Sequence, residues 1–518
     1  MKKQFVKRLI SLSLCAVMMM MVGKDVNASV RNSQMQTTDE IIEETNDEIS
    51  ELLFDSEVED ITKEEYSSLP SVTIQTVKGY EEGAYVKWTS VPDADGYVVY
   101  CSNNSSSFAT PIDDTLIRDY GSYMRADMVG LSKGDYFFKV DAVTVDSVTG
   151  DHTVIASSVT DKVTVTTYDR SGFAFIDSSG KPYMSGSVGA YNADGTLKSG
   201  AVVIYLTEWN KNDVKVKIKN GSTSYKDCVG ILDILTTIAS GKDNRPIDIR
   251  VVGCLTDPKN IDSNSNFSGD LAIANNINGQ PITLEGIGDD ATFNGFGIVL
   301  KKCSNVEVRN MAVINCNSKE GDNFSINSNV SNVWMHNNDS FYGEPGGDSD
   351  QKKGDGAMDC KRADYVTLSY NHFFDNGKCN LLSVSSDDAG HHITYHHNWY
   401  DHSDSRHPRA RYYNVHTYNN YFDHNASYGM GATLGASIFA ENNYFDSVDR
   451  PFIVASQGHD LEGTDKSDSS TVISTLSRET AGFIKEYGNV FVNSGSKYSP
   501  YDPVSCPYDF DAYKASSR

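Results

Sequence analysis

The sequence predicts a mainly β protein, a parallel β-helix preceded by a β-sandwich. Three observations carry this. From about residue 281 one unit recurs: a short β-rich run, one or two asparagines, then aromatics, as in NVWMHNNDSFYG, YVTLSYNHFFDN, HITYHHNWYDHS, NVHTYNNYFDHN and SIFAENNYFDSV. Residues 71–168 instead show alternating runs (YVKWTSV, DGYVVYCS, DYFFKVDAVTV, TDKVTVTTY) broken by turn residues at sandwich-like spacing. The composition, with 29 tyrosines and 40 glycines, favours strands and turns.

In chain order, residues 1–28 read as a signal peptide. Lys2, Lys3, Lys7 and Arg8 precede an apolar run from Leu9 to Val22, and Val26-Asn27-Ala28 offers a small-residue cleavage site before Ser29. The run is too short and wrongly flanked to span a membrane. The protein is therefore expected to be secreted. Residues 29–70 are dominated by acid and read as a disordered linker. The formal charge is −25, and removal of a leader rich in Lys and Arg makes the remainder more acidic still. Bulk charge thus excludes nucleic acid and anionic membranes as partners. The cysteines after the leader are scattered and form no CxxC pair, which argues against a zinc ribbon and leaves buried thiols and some disulfide pairing both open.

Within 71–168, Trp88 is placed to fill the core between two sheets. Leu131, Tyr136 and Val140-Asp141-Ala142-Val143 resemble the tyrosine-corner strand of a fibronectin type III domain. This segment reads as a spacer or accessory module. Residues 169–518 form the large region, with a helix expected over 228–241 and a strand over DIRVVGCL.

The repeat is best aligned on its asparagines: Asn338, Asn371, Asn398, Asn420 and Asn443, with steps of 33, 27, 22 and 23 residues. Phe373, Tyr400, Phe422 and Phe445 follow the last four at a fixed offset. The β-branched and aromatic runs exclude helical repeats, and the period is too short for propeller blades of about 40 residues. One short coil per period fits a parallel β-helix, with inward asparagines at each bend and aromatics in the core. The uneven steps imply loops projecting from one side, where a site would be built.

Two acid pairs and three cations stand out. Glu320 and Asp322 share a strand face, as do Asp355 and Asp359, and the pairs lie about one coil apart. Four clustered carboxylates would repel unless a cation lay between them, and hard oxygen ligands without His or Cys favour Ca²⁺. Spacing alone favours the reading that these are unrelated surface acids, as most acids are in so acidic a chain. Lys378 lies close to one further coil on. Arg406 and Arg411 flank Pro408, where an extended loop can turn both to one side although a regular strand would not.

The stretches GDGAMDCKRADYVTLSYNHFFDN and HITYHHNWYDHSDSRHPRARYYNVHTYNN, with the asparagine ladder, resemble the pectate lyase family, a right-handed parallel β-helix. The motif-rich match runs from about 281 to 452, and Arg406-His407-Pro408-Arg409-Ala410-Arg411 is its most specific part. The resemblance implies a calcium-dependent lyase acting on polygalacturonate, working as a monomer. It implies Arg406 as the proton-abstracting residue, Arg411 as substrate-binding, Lys378 as holding a substrate carboxylate, and Glu320, Asp322, Asp355 and Asp359 as calcium ligands. The chain departs from the family pattern at His336-Asn337 and at Tyr413, where a glycine is usual; the latter is expected to reshape a subsite. The alternatives are a pectin lyase on methylated substrate, which would not need the four acids; a β-helix hydrolase, which would not need the arginine motif; and a non-catalytic polysaccharide-binding protein.

Overall fold

The structure, a computed structural model, describes residues 69–256, 269–276, 279–316, 321–341, 356–383, 386–425, 428–448, 450–454 and 480–495. The signal segment, nearly all of the acidic linker, Glu320 and Asp355 lie outside these residues.

The alternating runs at the N-terminal end fold as two antiparallel sheets. Their strands are β1 (Ile74–Tyr80), β2 (Gly83–Trp88), β3 (Gly96–Ser102), β4 (Ile117–Asp119), β5 (Met124–Val129), β6 (Gly134–Val145), β7 (His152–Val159) and β8 (Val163–Val165). One sheet has the order β1-β2-β5-β4; the other joins β3, β6 and β7, with β8 on β6. One apolar core lies between them, in which Trp88 is fully buried and packs edge-on against Tyr97. Tyr136 donates its hydroxyl to the Ser132 carbonyl at 3.1 Å, the backbone tie expected of a tyrosine corner.

The large region coils. Strands pair in parallel with their equivalents one turn later, and they do so in three columns. The first runs from Val202–Thr207 through Ser304–Arg309 and His392–His396 to Phe483–Tyr487. The second holds short strands such as His372–Phe374, Trp399–Asp401, Tyr421–Asp423 and Tyr444–Asp446. The third holds Ile298–Lys301, the start of Met358–Ser369, Leu381–Leu382, Arg409–Arg411 and Met430–Thr433. The interior is a continuous apolar column. The expected helix is shorter than 228–241: it spans Ile231–Ile238, because Cys228 belongs to the strand Tyr225–Val229 and Gly230 turns the chain at a φ of 79°.

The asparagines form a ladder between the first and second columns. From Asn371 onward each Oδ1 accepts from the backbone N–H and the amide of the asparagine one coil before, as when Asn398 takes both from Asn371 at 3.0 Å and Asn420 takes them from Asn398 at 2.9 and 3.0 Å. Each amide also donates to a carbonyl; that of Asn398 reaches Leu368 at 2.8 Å. The ladder continues past Asn443 to Asn489. Beside it Phe373, Tyr400, Phe422, Phe445 and Phe491 stack with ring centroids 4.3 to 5.1 Å apart.

The sandwich is bound to the outside of the coil. Arg125 and Arg118 reach Asp289 and Asp290, each at 2.8 Å. Buried Glu82 takes Arg170 and, at 3.2 Å, Arg309. Val252 and Ile287 of the coil join the sandwich core. No helix among the described residues is long and apolar enough to cross a membrane. Cys101, Cys228, Cys303, Cys360 and Cys379 are free thiols, so the expected alternatives resolve there in favour of unpaired residues, all but Cys101 buried.

Candidate active site

The chemistry gathers on the third column and on the turn that feeds it. Phe324 pairs with Met358, so Asp322 stands opposite Gly356. Gly356 is bridged to Lys378, and Lys378 to Ser405. One column of the turn thus reads Asp322, Gly356, Lys378, Ser405, with coils about 4.8 Å apart. Arg406 follows Ser405 directly. A few residues on, the strand register places Cys360 beside Leu382 and Leu382 beside Ala410, all buried in the core. Period-2 alternation then turns Asp359, Lys361, Arg409 and Arg411 to the outer side.

Asp322 and Asp359 are both buried and both meet at Gly356. Asp322 Oδ1 accepts the Gly356 N–H at 2.7 Å, and Asp359 Oδ1 accepts the Leu381 N–H at 2.9 Å. A β-carbon on Gly356 would lie 2.3 Å from Asp359 Oδ1 and 2.7 Å from Asp322 Oδ1, so only glycine lets the carboxylates approach. Their Oδ2 atoms share one cation: Lys361 Nζ is 3.3 Å from each. Lys361 lies two residues after Asp359 on the same strand, a spacing that could have revealed it. The pair suits calcium in donor chemistry, being hard oxygen, buried, and drawn together around a glycine cradle. Lys361 shows that the carboxylates already attract positive charge.

The arginine motif is shaped by its backbone. Arg406 is buried to 9% exposure and adopts a φ of 66°, with its carbonyl accepting from the Asn380 N–H at 2.7 Å. This left-handed step, and not an extended loop, reorients the chain before the strand Arg409–Arg411 begins. His407 points into the core, where burial pushes its pKa down to about 3 and the Tyr428 carbonyl lies 2.8 Å from Nδ1. Arg409 and Arg411, two apart, share a face; Arg411 Nη1 lies 3.5 Å from the Ser383 carbonyl. Lys378 is half-buried. The structure therefore brings Asp322, Asp359, Lys378, Arg406 and Arg411 onto neighbouring coils and adds Lys361, Gly356 and Arg409. Glu320 and Asp355, the other two sequence candidates, lie outside the described residues.

Tyr413 does not reshape a subsite. It is fully buried, and its hydroxyl donates to the Ala363 carbonyl at 2.8 Å while accepting the Ala363 N–H at 3.0 Å. Its size fills the core where a glycine would leave space. His336 is likewise buried, stacked on Trp334 with Nε2 3.1 Å from Glu307.

Fold and site together define a parallel β-helix protein carrying an acid pair beside an arginine-rich strand. The family profile described as pectate lyase matches residues 246–505, half of the chain, and the chain belongs to the pectate lyase family. Pectate lyase B of Dickeya chrysanthemi is 32% identical over 272 residues, 47% of this chain and 68% of that protein. The pectate trisaccharide-lyase of Bacillus licheniformis is 29% identical over 222 residues, 42% of this chain. The chain spans 62% of the length of that relative. Among solved structures, a Bacillus pectate lyase in complex with trigalacturonate aligns with a TM-score of 0.46 at 24% identity, over 66% of this chain and 95% of the other.

Proposed function

We propose that this protein is a secreted, calcium-dependent pectate lyase that cleaves α-1,4-linked polygalacturonate by β-elimination. The observation that carries the reading is the convergence of Asp322 and Asp359 on Gly356, one to two coils from Lys378, Arg406 and Arg411. A local cation cluster in an acidic chain is what a polyanionic substrate requires.

Each residue of polygalacturonate carries a carboxylate next to C5. Removing the C5 proton builds negative charge against that carboxylate, so the charge must be neutralised in the transition state. Lys378 and Arg411 hold the substrate carboxylate and fix its position. Asp322 and Asp359, with Glu320 and Asp355, would hold calcium, which would supply Lewis-acid neutralisation of the same group. Arg406 in its neutral form takes the C5 proton; the C–H pair forms the C4–C5 double bond, the C4–O bond breaks, and the departing oxygen takes a proton from water. Arginine is charged in ordinary surroundings, so the reaction belongs to alkaline pH. The N-terminal sandwich is a fibronectin type III-like module that the coil carries on its outer face.

The test is ultraviolet absorbance on polygalacturonate with and without Ca²⁺. The conjugated unsaturated product absorbs, so absorbance that grows with Ca²⁺ and stops in EDTA supports the lyase. New reducing ends without absorbance indicate a hydrolase, and activity only on methylated pectin, indifferent to EDTA, indicates a pectin lyase. Neither signal indicates a binder.

A further inference from the structure

We propose that Asp169, His396 and His397 form a binding site for a divalent transition-metal ion of the zinc type, which clips the segment between the sandwich and the coil onto the first column of strands. The site lies at the end of the first column of strands, whereas the acid pair at Gly356 lies at the turn into the third, and it does not rest on the lyase reading.

The ligand atoms lie close together. His396 Nδ1 and His397 Nδ1 are 2.9 Å apart, and Asp169 Oδ2 is 3.9 Å from His396 Nδ1. One ligand atom from each of the three residues falls within 4.8 Å of the others. These separations bracket the edge of about 3.3 Å expected for a tetrahedral zinc site with bonds near 2.0–2.1 Å. Two imidazoles and one carboxylate leave a fourth position for water.

Neighbouring residues of a strand normally face opposite ways. Here His397 takes a φ of 54°, which turns its ring back toward His396. Both rings are held in place by stacking, His396 on Tyr418 at 4.9 Å and His397 on Tyr370 at 4.6 Å. The segment that carries Asp169 is held on the same column, where the Phe173 N–H donates to Thr394 Oγ1 at 3.0 Å and Ser171 Oγ meets the Tyr418 hydroxyl at 2.6 Å. Along this column the equivalent steps on other coils are His336-Asn337, Ser369-Tyr370, Tyr418-Asn419 and Glu441-Asn442. Among these steps two imidazoles meet at His396-His397 alone, and there the linking segment brings a carboxylate.

The bonding around the rings also fits a metal. Without one, two neutral imidazoles at 2.9 Å must share one N–H, whereas a metal would take the lone pairs of both Nδ1 atoms. The Asp169 carboxylate accepts no hydrogen bond from the described residues, its one close cationic contact being the 3.9 Å approach to His396.

The test uses the full-length protein, stripped with chelator and returned to buffer with Ca²⁺ in excess to occupy oxygen sites. After dialysis against low micromolar Zn²⁺, elemental analysis is expected to find one more bound zinc in the wild type than in His397→Ala or Asp169→Asn. Affinity should fall by at least about tenfold in each variant. Co²⁺ in place of Zn²⁺ should give ligand-field bands in the wild type that His397→Ala lacks. Asp169 is partly exposed, and circular dichroism verifies that its variant folds. Equal zinc in wild type and both variants, or none in the wild type, overturns the site and leaves a plain N–H···N hydrogen bond.

Discussion

Two bends of the same coil are put to opposite uses. At the bend between the first and second columns, turn after turn presents an asparagine, buried and bonded to the turn before and after. At the turn into the third column the equivalent positions read Asp322, Gly356, Lys378 and Ser405, a different residue on each coil. The first bend is a repeated solution to one backbone problem: a polar bend inside a core must satisfy its own N–H and C=O groups. The second is a place where identical residues would be useless, because a reaction needs acid, cation and space side by side. In a stacked fold, repetition marks what holds the coils together, and departure from it marks what the protein does.

The sharpest way to break the comparison is to change one residue on each side. Arg406→Lys should lower kcat by about 10²–10⁴-fold while the melting temperature stays unchanged, as measured by ultraviolet turnover and thermal unfolding. Near-wild-type turnover would place the base elsewhere. Gly356→Ala comes next. Its β-carbon would enter the 2.3 Å gap to Asp359 and force the carboxylates apart, so calcium affinity by calorimetry should fall on the order of tenfold or more.

The ladder should respond in the opposite sense. Asn398→Ala leaves the Asn371 N–H and the Leu368 carbonyl without their partner, at a cost of about 3 kcal/mol. Denaturant unfolding should register that loss, while kcat of the folded enzyme holds. A large loss of kcat at unchanged stability would mean the ladder is not merely structural.

A further effect concerns pH. The folded protein holds His407 neutral down to about 3, whereas the unfolded chain protonates it near its ordinary value. The unfolded state therefore binds more protons between these values, and the stabilising contribution, complete above about pH 6.5, is lost progressively on acidification. His407→Gln should flatten that dependence in urea melts between pH 4 and 7, an interval of about 1.4 kcal/mol per pH unit for one group.

Much of this was legible beforehand. Asn338 to Asn443 gave the coil, since a ladder needs the same residue each turn and a period shows in one dimension. Asn489 escaped because 46 residues separate it from its partner, and a long insertion destroys spacing as a signal. Arg409 and Lys361 stood in view, two residues from Arg411 and Asp359, yet their roles depend on which coil lies next to which. Glu82 reads as one acid among many; its burial between Arg170 and Arg309 is visible only when the sandwich is docked.

By itself the sequence determined the two architectures, the ladder and the residue types of the site, because alternation, period and local motifs are properties of neighbours along the chain. The tertiary structure alone decided that Asp322 and Asp359 meet at Gly356 with Lys361 between them, that Tyr413 goes inward, and that Asp169 comes to lie against His396. Those outcomes depend on the register of one coil over another, which loops of unequal length conceal, and on left-handed steps such as Arg406 and His397 that turn a side chain against the strand's own alternation.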